Sequence, residues 1–323
     1  MGRHASPPSR AVEQVKSAVE KAWPEGVAEA LSGAGLSPEW AGALVSYVMS
    51  EDLGGNPGRD VTTNSIISAG ARSVVNVVVR GEGVLAGAPL IPVVLAEAAK
   101  RFGQPMPAVD LRMADGSHVK PGDVVAVMSG STRVLLISER SMLNLVCRAS
   151  GVATATSAWS TALAGTSVKV LDTRKTTPGL RGLEKYAVRV GGGTNKRMGL
   201  YDVAMIKDNH KLAAGSVSAA YAKVRALFPN VPVQVEVVNA EEAIEAVRAG
   251  ARYLMLDNMA IGDMKAAVQA ARRATDEPLE IEATGGLTLA RAREYAWTGV
   301  DYLSVGALTH SSPILDIAVD LVQ

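Results

Sequence analysis

VQVEVVNAEEAIEAVRAGARYLMLDN (residues 233–258) decides the fold. The apolar run Val233–Val238 has the β-branched content of a strand, and AEEAIEAVRAG (240–250) repeats its apolar residues at helical spacing. A second apolar run, Tyr253–Leu256, ends in Asp257-Asn258. Strand, amphipathic helix and strand form one βαβ unit, which lays its two strands side by side and parallel.

The same alternation extends in both directions. Upstream lie VKVLDT (168–173) and VAMIKD (203–208), and downstream LEIEATGG (279–286) and YLSVGA (302–307). Helical patterns separate most of them: LAAGSVSAAYAKVRALF (212–228), AIGDMKAAVQAARRA (260–274) and LARAREYAWTG (289–299). Short apolar strands between helices are expected where both faces of a parallel sheet are covered. Open doubly wound sheets share this pattern, but each strand here ends in a polar residue or glycine at the same relative place. These are Asp172-Thr173-Arg174, Lys207-Asp208, Glu236, Asp257-Asn258, Thr284-Gly285-Gly286 and Gly306. That favours a βα barrel, whose active site gathers at the C-terminal ends of its strands. Six strands make the barrel incomplete.

Residues 73–140 have a different character. VVNVVV (74–79), GVLAG (83–87) and HVKPGDVVAVMSG (118–130) read as extended runs with a Pro-Gly turn, around a helix near Ile91–Arg101. A helical stretch, LNLVCRASGVATATSAWSTAL (143–163), follows Glu139-Arg140. Residues 11–50 read as helical pieces, the first interrupted by Pro24 and a later one starting at Ser37-Pro38-Glu39. EDLGGNPGRDVTT (51–63) reads as a loop, and residues 1–10 as disordered. The predicted organisation is an extension over 1–35, a separate β-rich domain over 36–148 and the incomplete barrel over 149–310.

Composition narrows the function. The chain has 323 residues, with 33 Lys plus Arg against 32 Asp plus Glu, a balance that argues against a general nucleic-acid or membrane-surface binder. The single cysteine, Cys147, excludes an intrachain disulfide and suits a reducing cytoplasm; its apolar neighbours make it a small buried hydrophobe. The polar start MGRHASPPSR is unlike a secretory signal, and the apolar stretch Val84–Ala99 is broken by Gly87, Pro89 and Pro92. A cytoplasmic enzyme is expected.

Three sets of residues carry chemistry. Arg140, Arg174, Lys175, Lys196, Arg197 and Lys207 are cations, several of them at strand ends, where mutual repulsion calls for a polyanionic ligand. Glu236 and Asp257 end adjacent strands, where they suit Mg²⁺ or sugar hydroxyls. Gly285, Gly286 and Gly306 end the last two strands, where barrel loops cradle phosphates with backbone N–H groups. Gly191-Gly192-Gly193 precede Lys196 and are read as letting it approach the ligand. His210 and His310 follow strand ends and suit either phosphate binding or loop packing.

From Glu51 to the C-terminus these residues resemble the quinolinate phosphoribosyltransferase family. The resemblance rests on EDLGG…DVTT, SERSMLNLVCRASGVAT, LDTRKTTPGLR, EKYAVRVGGGTNKR, DVAMIKDNH, VQVEV, LMLDN, EATGG and VDYLSVGALTHS, in this order. It implies an α/β fold, with an N-terminal α/β sandwich, joined by residues 311–323, beside an open, incomplete βα barrel. It also implies that quinolinate and phosphoribosyl pyrophosphate (PRPP) react, with Mg²⁺, to give nicotinate mononucleotide, pyrophosphate and CO₂. By matching motif, Arg140, Arg174, Arg197 and Lys207 would meet the substrate carboxylates, with Arg140 entering from the neighbouring subunit of a homodimer. Lys175 would meet the pyrophosphate, Glu236 and Asp257 the ribose hydroxyls and the metal, and Gly285, Gly286, Gly306 and His310 the 5′-phosphate. One departure stands out: the family's usual Gly-Gly-Gly-x-Asn-His-Arg is here Gly191–Arg197 with Lys196 in the histidine position. Either Lys196 takes over as a carboxylate partner, or the chain is a paralogue acting on a different aromatic carboxylate. A Schiff-base aldolase built on Lys207 is a further alternative, and it requires an apolar pocket around that lysine.

Overall fold

Thirty-one residues from Thr132 to Ala162 form one uninterrupted helix in the computed structural model, which describes residue 23 and residues 25–322. This helix, α5, begins directly after strand β5 (Val124–Ser131). The sequence reading started it after Arg140; the run Val134–Ile137 is apolar enough to pass for a strand, but all of it is helical. The expected disorder of residues 1–10, the helical reading of 11–22 and the break at Pro24 lie outside the described residues.

The described residues divide into two compact units, those up to 154 together with those from 313 onward, and residues 155–312. The first unit opens with α1 (Val27–Gly33), inside the segment read as an extension, and α2 (Pro38–Leu53). Ser37 caps α2 by accepting the Trp40 N–H at 3.3 Å, with Pro38 in the first turn. The stretch 51–63 is less of a loop than expected. Helix α2 runs to Leu53, and α3 (Val61–Ile66) starts where Asp60 Oδ1 accepts the N–H groups of Thr62 and Thr63, both at 2.9 Å. Strands β1 (Arg72–Val79), β2 (Gly83–Val84), β3 (Ala108–Leu111), β4 (His118–Val119) and β5 follow, with α4 (Leu90–Arg101) between β2 and β3. The antiparallel sheet has the order β12-β1-β5-β3, because the C-terminal strand β12 (Ile317–Val322) returns to pair with β1. Val75, Val77, Val79, Val125 and Met128 are buried, as are nine residues of α4. Cys147 is buried here too, its Sγ 3.7 Å from the Ile317 carbonyl; burial pushes the thiol up, away from a nucleophile.

The second unit is the strand–helix alternation. Its strands are β6 (Lys169–Leu171), β7 (Ala204–Ile206), β8 (Val233–Val237), β9 (Tyr253–Asp257), β10 (Glu280–Thr284) and β11 (Tyr302–Ser304). They form one parallel sheet in the order β6-β11-β10-β9-β8-β7. The first strand thus pairs with the last, as in a closed barrel, but β6 and β7 are not neighbours. Only the isolated bridge Leu171↔Thr194 continues the sheet beyond β6, so the barrel is open there.

Helices α6 (Arg181–Val190), α7 (Asp208–Ala214), α8 (Val217–Leu227), α9 (Ala240–Arg248), α10 (Ile261–Arg273), α11 (Ala292–Ala296) and α12 (Ala307–His310) complete the unit. Helix α9 illustrates the local logic. Asn239 caps it by accepting the Glu242 N–H at 2.8 Å, acids fill its first turn, Arg248 ends it, and Ala243, Ala246 and Val247 form its buried stripe. The segment 212–228, read as one helix, is two: Gly215 ends α7 at φ +99°, and Ser216 caps α8. Among the described residues no helix is long and apolar enough to cross a membrane.

Candidate functional site

A cavity of about 690 Å³ opens at the C-terminal ends of the parallel strands. It brings together Arg174, Lys175, Lys196, Arg197, Lys207, Glu236, Asp257, Gly285, Gly286, Gly306 and His310. Arg140 belongs to α5 in the first unit and does not line it. His210 does not line it either; its Nδ1 accepts the Lys207 N–H at 2.9 Å, a helix-start role at α7. Tyr201 is 80% exposed and plays no part in the lining.

The loops that present these groups are fixed from below. Just beyond β6, Asp172 is fully buried; its carboxylate pairs with Lys185 of α6, accepts the Lys196 N–H at 2.9 Å and binds Asn195 Nδ2. The Lys185 ammonium also reaches the Lys196 carbonyl at 3.1 Å. One buried ion pair therefore anchors the segment carrying Lys196 and Arg197. Arg181 spans the next layer, donating to Thr176 Oγ1 at 3.0 Å and to the Met198 carbonyl at 3.1 Å. Thr309 Oγ1 donates to the Lys175 carbonyl at 2.8 Å, which ties the loop after β6 to α12.

The glycine triplet serves packing. A Cβ on Gly193 would stand 2.7 Å from both Thr156 Cγ2 and Val188 Cγ1, so its close approach is to the surrounding helices rather than to a ligand. Gly285 and Gly306 are different. Gly285 has φ +89°, and a Cβ there would fall 2.3 Å from Asn258 Oδ1. A Cβ on Gly306 would stand 3.1 Å from His310 Nε2 and 3.2 Å from Lys175 Cδ. A side chain at Gly285 would be strained and would clash, while one at Gly306 would press on His310 and Lys175 at the cavity wall.

Charge is arranged in pairs and in a surplus. Lys207 pairs with Glu236, and Lys196 with Glu282, which lies on the inner face of β10 beneath the cavity. Among the described residues Arg174, Lys175 and Arg197 have no ion-pair partner. Arg197 donates to the Val203 carbonyl at 3.0 Å, while its buried Nε has no hydrogen-bond partner; nor has the buried Ser304 Oγ on the cavity wall. Burial, and then the neighbouring Arg174, pulls Arg197 below the usual arginine range. Burial likewise pulls Lys196 down, against the pull of Glu282. A mouth with three uncompensated cations and buried unsatisfied donors is built for a ligand carrying several negative charges. Lys207 is half-exposed and paired with a carboxylate, not enclosed in the apolar pocket that a Schiff-base lysine requires.

Asp257 ends β9 beside β8, which places it on the same rim as Glu236, and its only partner among the described side chains is Asn258, at 2.9 Å. Sequence reasoning passed over Glu282, Tyr253 and Lys185, and noted Asp172 only as a polar strand end. For Glu282 the available signal was the alternation in LEIEAT, which puts two acids on one face of the strand and Ile281 and Ala283 on the other.

The family models of the quinolinate phosphoribosyl transferase C-terminal and N-terminal domains match residues 152–320 and 60–150. The nicotinate-nucleotide pyrophosphorylase [carboxylating] of Mycobacterium leprae is 47% identical over 278 residues, 86% of this chain and 95% of that protein. A probable protein of the same name from Bacillus subtilis is 40% identical over 279 residues, covering 86% of this chain and 92% of its own length. Among solved structures, NadC from Streptococcus pyogenes superposes with a TM-score of 0.81 at 35% identity, over 89% of this chain and 99% of that one.

Proposed function

Because the chain belongs to the quinolinate phosphoribosyltransferase family, we propose that it transfers the phosphoribosyl group of PRPP to the ring nitrogen of quinolinate. The products are nicotinate mononucleotide, pyrophosphate and CO₂, which makes it a pentosyltransferase of pyridine nucleotide synthesis. The observation that carries this reading is the group of unpaired cations, Arg174, Lys175 and Arg197, facing the carboxylates Glu236 and Asp257 across one cavity.

The roles follow from charge and position. Arg174, Arg197 and Lys196 offer fork and point donors to the two carboxylates of the acceptor, and Lys207 adds a further cation. Lys175 faces the pyrophosphate, whose departure leaves positive charge on the ribose ring. Glu236 and Asp257 accept hydrogen bonds from the ribose hydroxyls and favour that developing charge. The turns at Gly285, Gly286 and Gly306, with His310, receive the 5′-phosphate through backbone N–H groups. The nucleophile is the acceptor's own ring nitrogen, so no serine or cysteine is required. Once that nitrogen is bonded to ribose and positive, the adjacent C–COO⁻ bond breaks; the electron pair stays on the ring carbon, CO₂ leaves, and a proton replaces it.

The donor set fits magnesium carried mainly by substrate phosphates. Asp257 has no ion-pair partner, Glu236 is held by one lysine, and no cluster of three or more His, Cys, Asp or Glu side chains forms a cage among the described residues. Asp257 and Glu236 would hold the ion, and bound Mg²⁺ would offset charge on the departing pyrophosphate. We place the working enzyme in the cytoplasm as a homodimer, with Arg140 contributed by the neighbouring subunit. The test is direct: purified protein, PRPP, Mg²⁺ and a panel of pyridine and benzene carboxylates, with pyrophosphate and CO₂ both followed. Stoichiometric release of both with quinolinate is expected. Pyrophosphate without CO₂, or no turnover of quinolinate, refutes the reading.

A further inference from the structure

Beneath the cavity, Lys196 is tied to a chain of interior polar side chains, Glu282, Tyr253, Tyr302 and Glu280, that none of these roles uses. Lys196 Nζ lies 2.6 Å from Glu282 Oε1, and the Tyr253 hydroxyl donates to Glu282 Oε2 at 2.7 Å. Glu282 is fully buried, and the Lys196 side chain is 8% exposed. Tyr253 is fixed in turn: its ring stacks on that of Tyr302 with centroids 5.9 Å apart, and the Tyr302 hydroxyl reaches Glu280 at 3.2 Å. Both oxygens of Glu282 thus have partners, in a site where an unpartnered polar group would be costly.

The consequence falls on Lys196. An ammonium carries three N–H donors. One goes to Glu282 and one points at Met255 Sδ, 3.0 Å away, on the neighbouring strand. The remaining donor belongs to a side chain that lines the cavity. Glu282 therefore does more than neutralise Lys196. It also holds the ammonium from the interior side, and Tyr253 holds Glu282 in turn.

We propose that Glu282 and Tyr253 are positioning residues that aim Lys196 at the second carboxylate of the acceptor, so that this interior chain sets the preference for an aromatic 1,2-dicarboxylate over a monocarboxylate. The proposal rests on the functional reading above, in which Lys196 meets a substrate carboxylate. A lysine on a flexible four-carbon stem discriminates poorly unless something holds it. Here the holder is a carboxylate with both oxygens bound.

The test separates the two ideas. Benzene-1,2-dicarboxylate keeps both carboxylates but has no ring nitrogen, so it reports binding without turnover; benzoate is its monocarboxylate counterpart. Dissociation constants for both are measured by calorimetry in the wild type, Tyr253→Phe, Glu282→Gln and Lys196→Met. The KM for PRPP is measured alongside where turnover occurs, and the thermal midpoint in every case. Losing one charge-assisted contact costs about tenfold in affinity. Tyr253→Phe and Lys196→Met are each expected to weaken the dicarboxylate about tenfold or more, to leave benzoate within about twofold, and to leave the KM for PRPP unchanged. Glu282→Gln, which keeps the shape and removes the charge, is expected to do the same.

An unchanged ratio of the two dissociation constants in Tyr253→Phe and Lys196→Met overturns the proposal. So does a parallel loss of both ligands and of PRPP, the mark of a merely structural role. If Tyr253→Phe folds poorly, the ratio in Lys196→Met and Glu282→Gln decides. Wild-type turnover of quinolinate is read separately. Its failure sinks the functional reading, while the two dissociation constants still judge the chain of residues.

Discussion

Replacing Lys185 with Met tests whether a single buried pair holds the substrate-binding segment in place. Lys185 is 3% exposed and Asp172 is fully buried, so neither charge has water to fall back on. Burial pushes the Asp172 carboxyl up and the Lys185 ammonium down, and each partner opposes that push on the other. Methionine keeps most of the volume, so the change is chiefly electrostatic. Stranding one partner of a buried pair costs about 3–5 kcal/mol. A second argument bounds the figure. Asp172 can escape by protonating, and carrying a carboxyl with a reference value of about 3.9 as its neutral form at pH 7 costs about 4 kcal/mol. For a domain of this size that corresponds to a fall in the thermal midpoint on the order of 10 °C. The bound also fixes the pH dependence. In the variant the folded-state carboxyl lies above its unfolded value, so the destabilisation grows as pH rises past the unfolded value and shrinks as pH falls towards it. The slope is about 1.4 kcal/mol per pH unit. Thermal unfolding of variant and wild type at pH 5 and pH 7 measures this difference. A loss below about 1 kcal/mol at pH 7, or one equal at both pH values, refutes the reasoning.

Other outcomes follow from the same geometry. Arg140→Ala and Lys175→Ala proteins, each inactive, should recover about a quarter of wild-type activity when equal amounts are unfolded and refolded together, because half the dimers then carry one intact shared site; no recovery refutes the sharing of Arg140. Burial lowers Lys196, so kcat/KM for quinolinate should fall as pH rises through a value below the ordinary lysine range, where the ammonium is lost; Lys196→Met should abolish that limb of the profile. Gly285→Ala forces a side chain into φ +89° against Asn258, at a cost of about 1–3 kcal/mol. It should raise the KM for PRPP at least tenfold while leaving the affinity for benzene-1,2-dicarboxylate nearly intact.

The candidate site was legible where chemistry sits at the end of a strand. Asp257, Lys207 and Gly306 each follow a short apolar run, so a period-two reading places them at one rim without coordinates. The cations were legible as a surplus, but their pairings were not: Lys196 and Glu282 are 86 positions apart, and periodicity says nothing of which strands are neighbours. For the same reason the pairing of β6 with β11, and the gap between β6 and β7, had to come from the structure. Local errors had local causes. Val134–Ile137 is apolar on consecutive residues, so its helix hid behind a strand-like run, and Gly215 broke a helix whose apolar period continues past it.

The ion pairs in the barrel explain how so cationic a mouth exists before substrate arrives. Barrel interiors are ordinarily filled by layers of branched apolar side chains. Here Glu236, Met255 and Glu282 stand in register across three strands, and the two acids hold Lys207 and Lys196. Without them five cations would share one cavity of about 690 Å³ with Asp257 as the sole lining acid among the described residues; with them Arg174, Lys175 and Arg197 are the cations left without an ion-pair partner. The two pairs are not equivalent. Glu282 is fully buried and doubly bound, so Lys196 has nowhere else to go. The Lys207 side chain is 49% exposed and Glu236 lines the cavity, so that pair can open. In the proposed roles the acceptor claims Lys207 and the ribose claims Glu236. The first ligand to arrive must separate them, and the second finds its partner already released. On these proposed roles the two substrates would favour each other's binding through one shared ion pair, with no movement of the fold required.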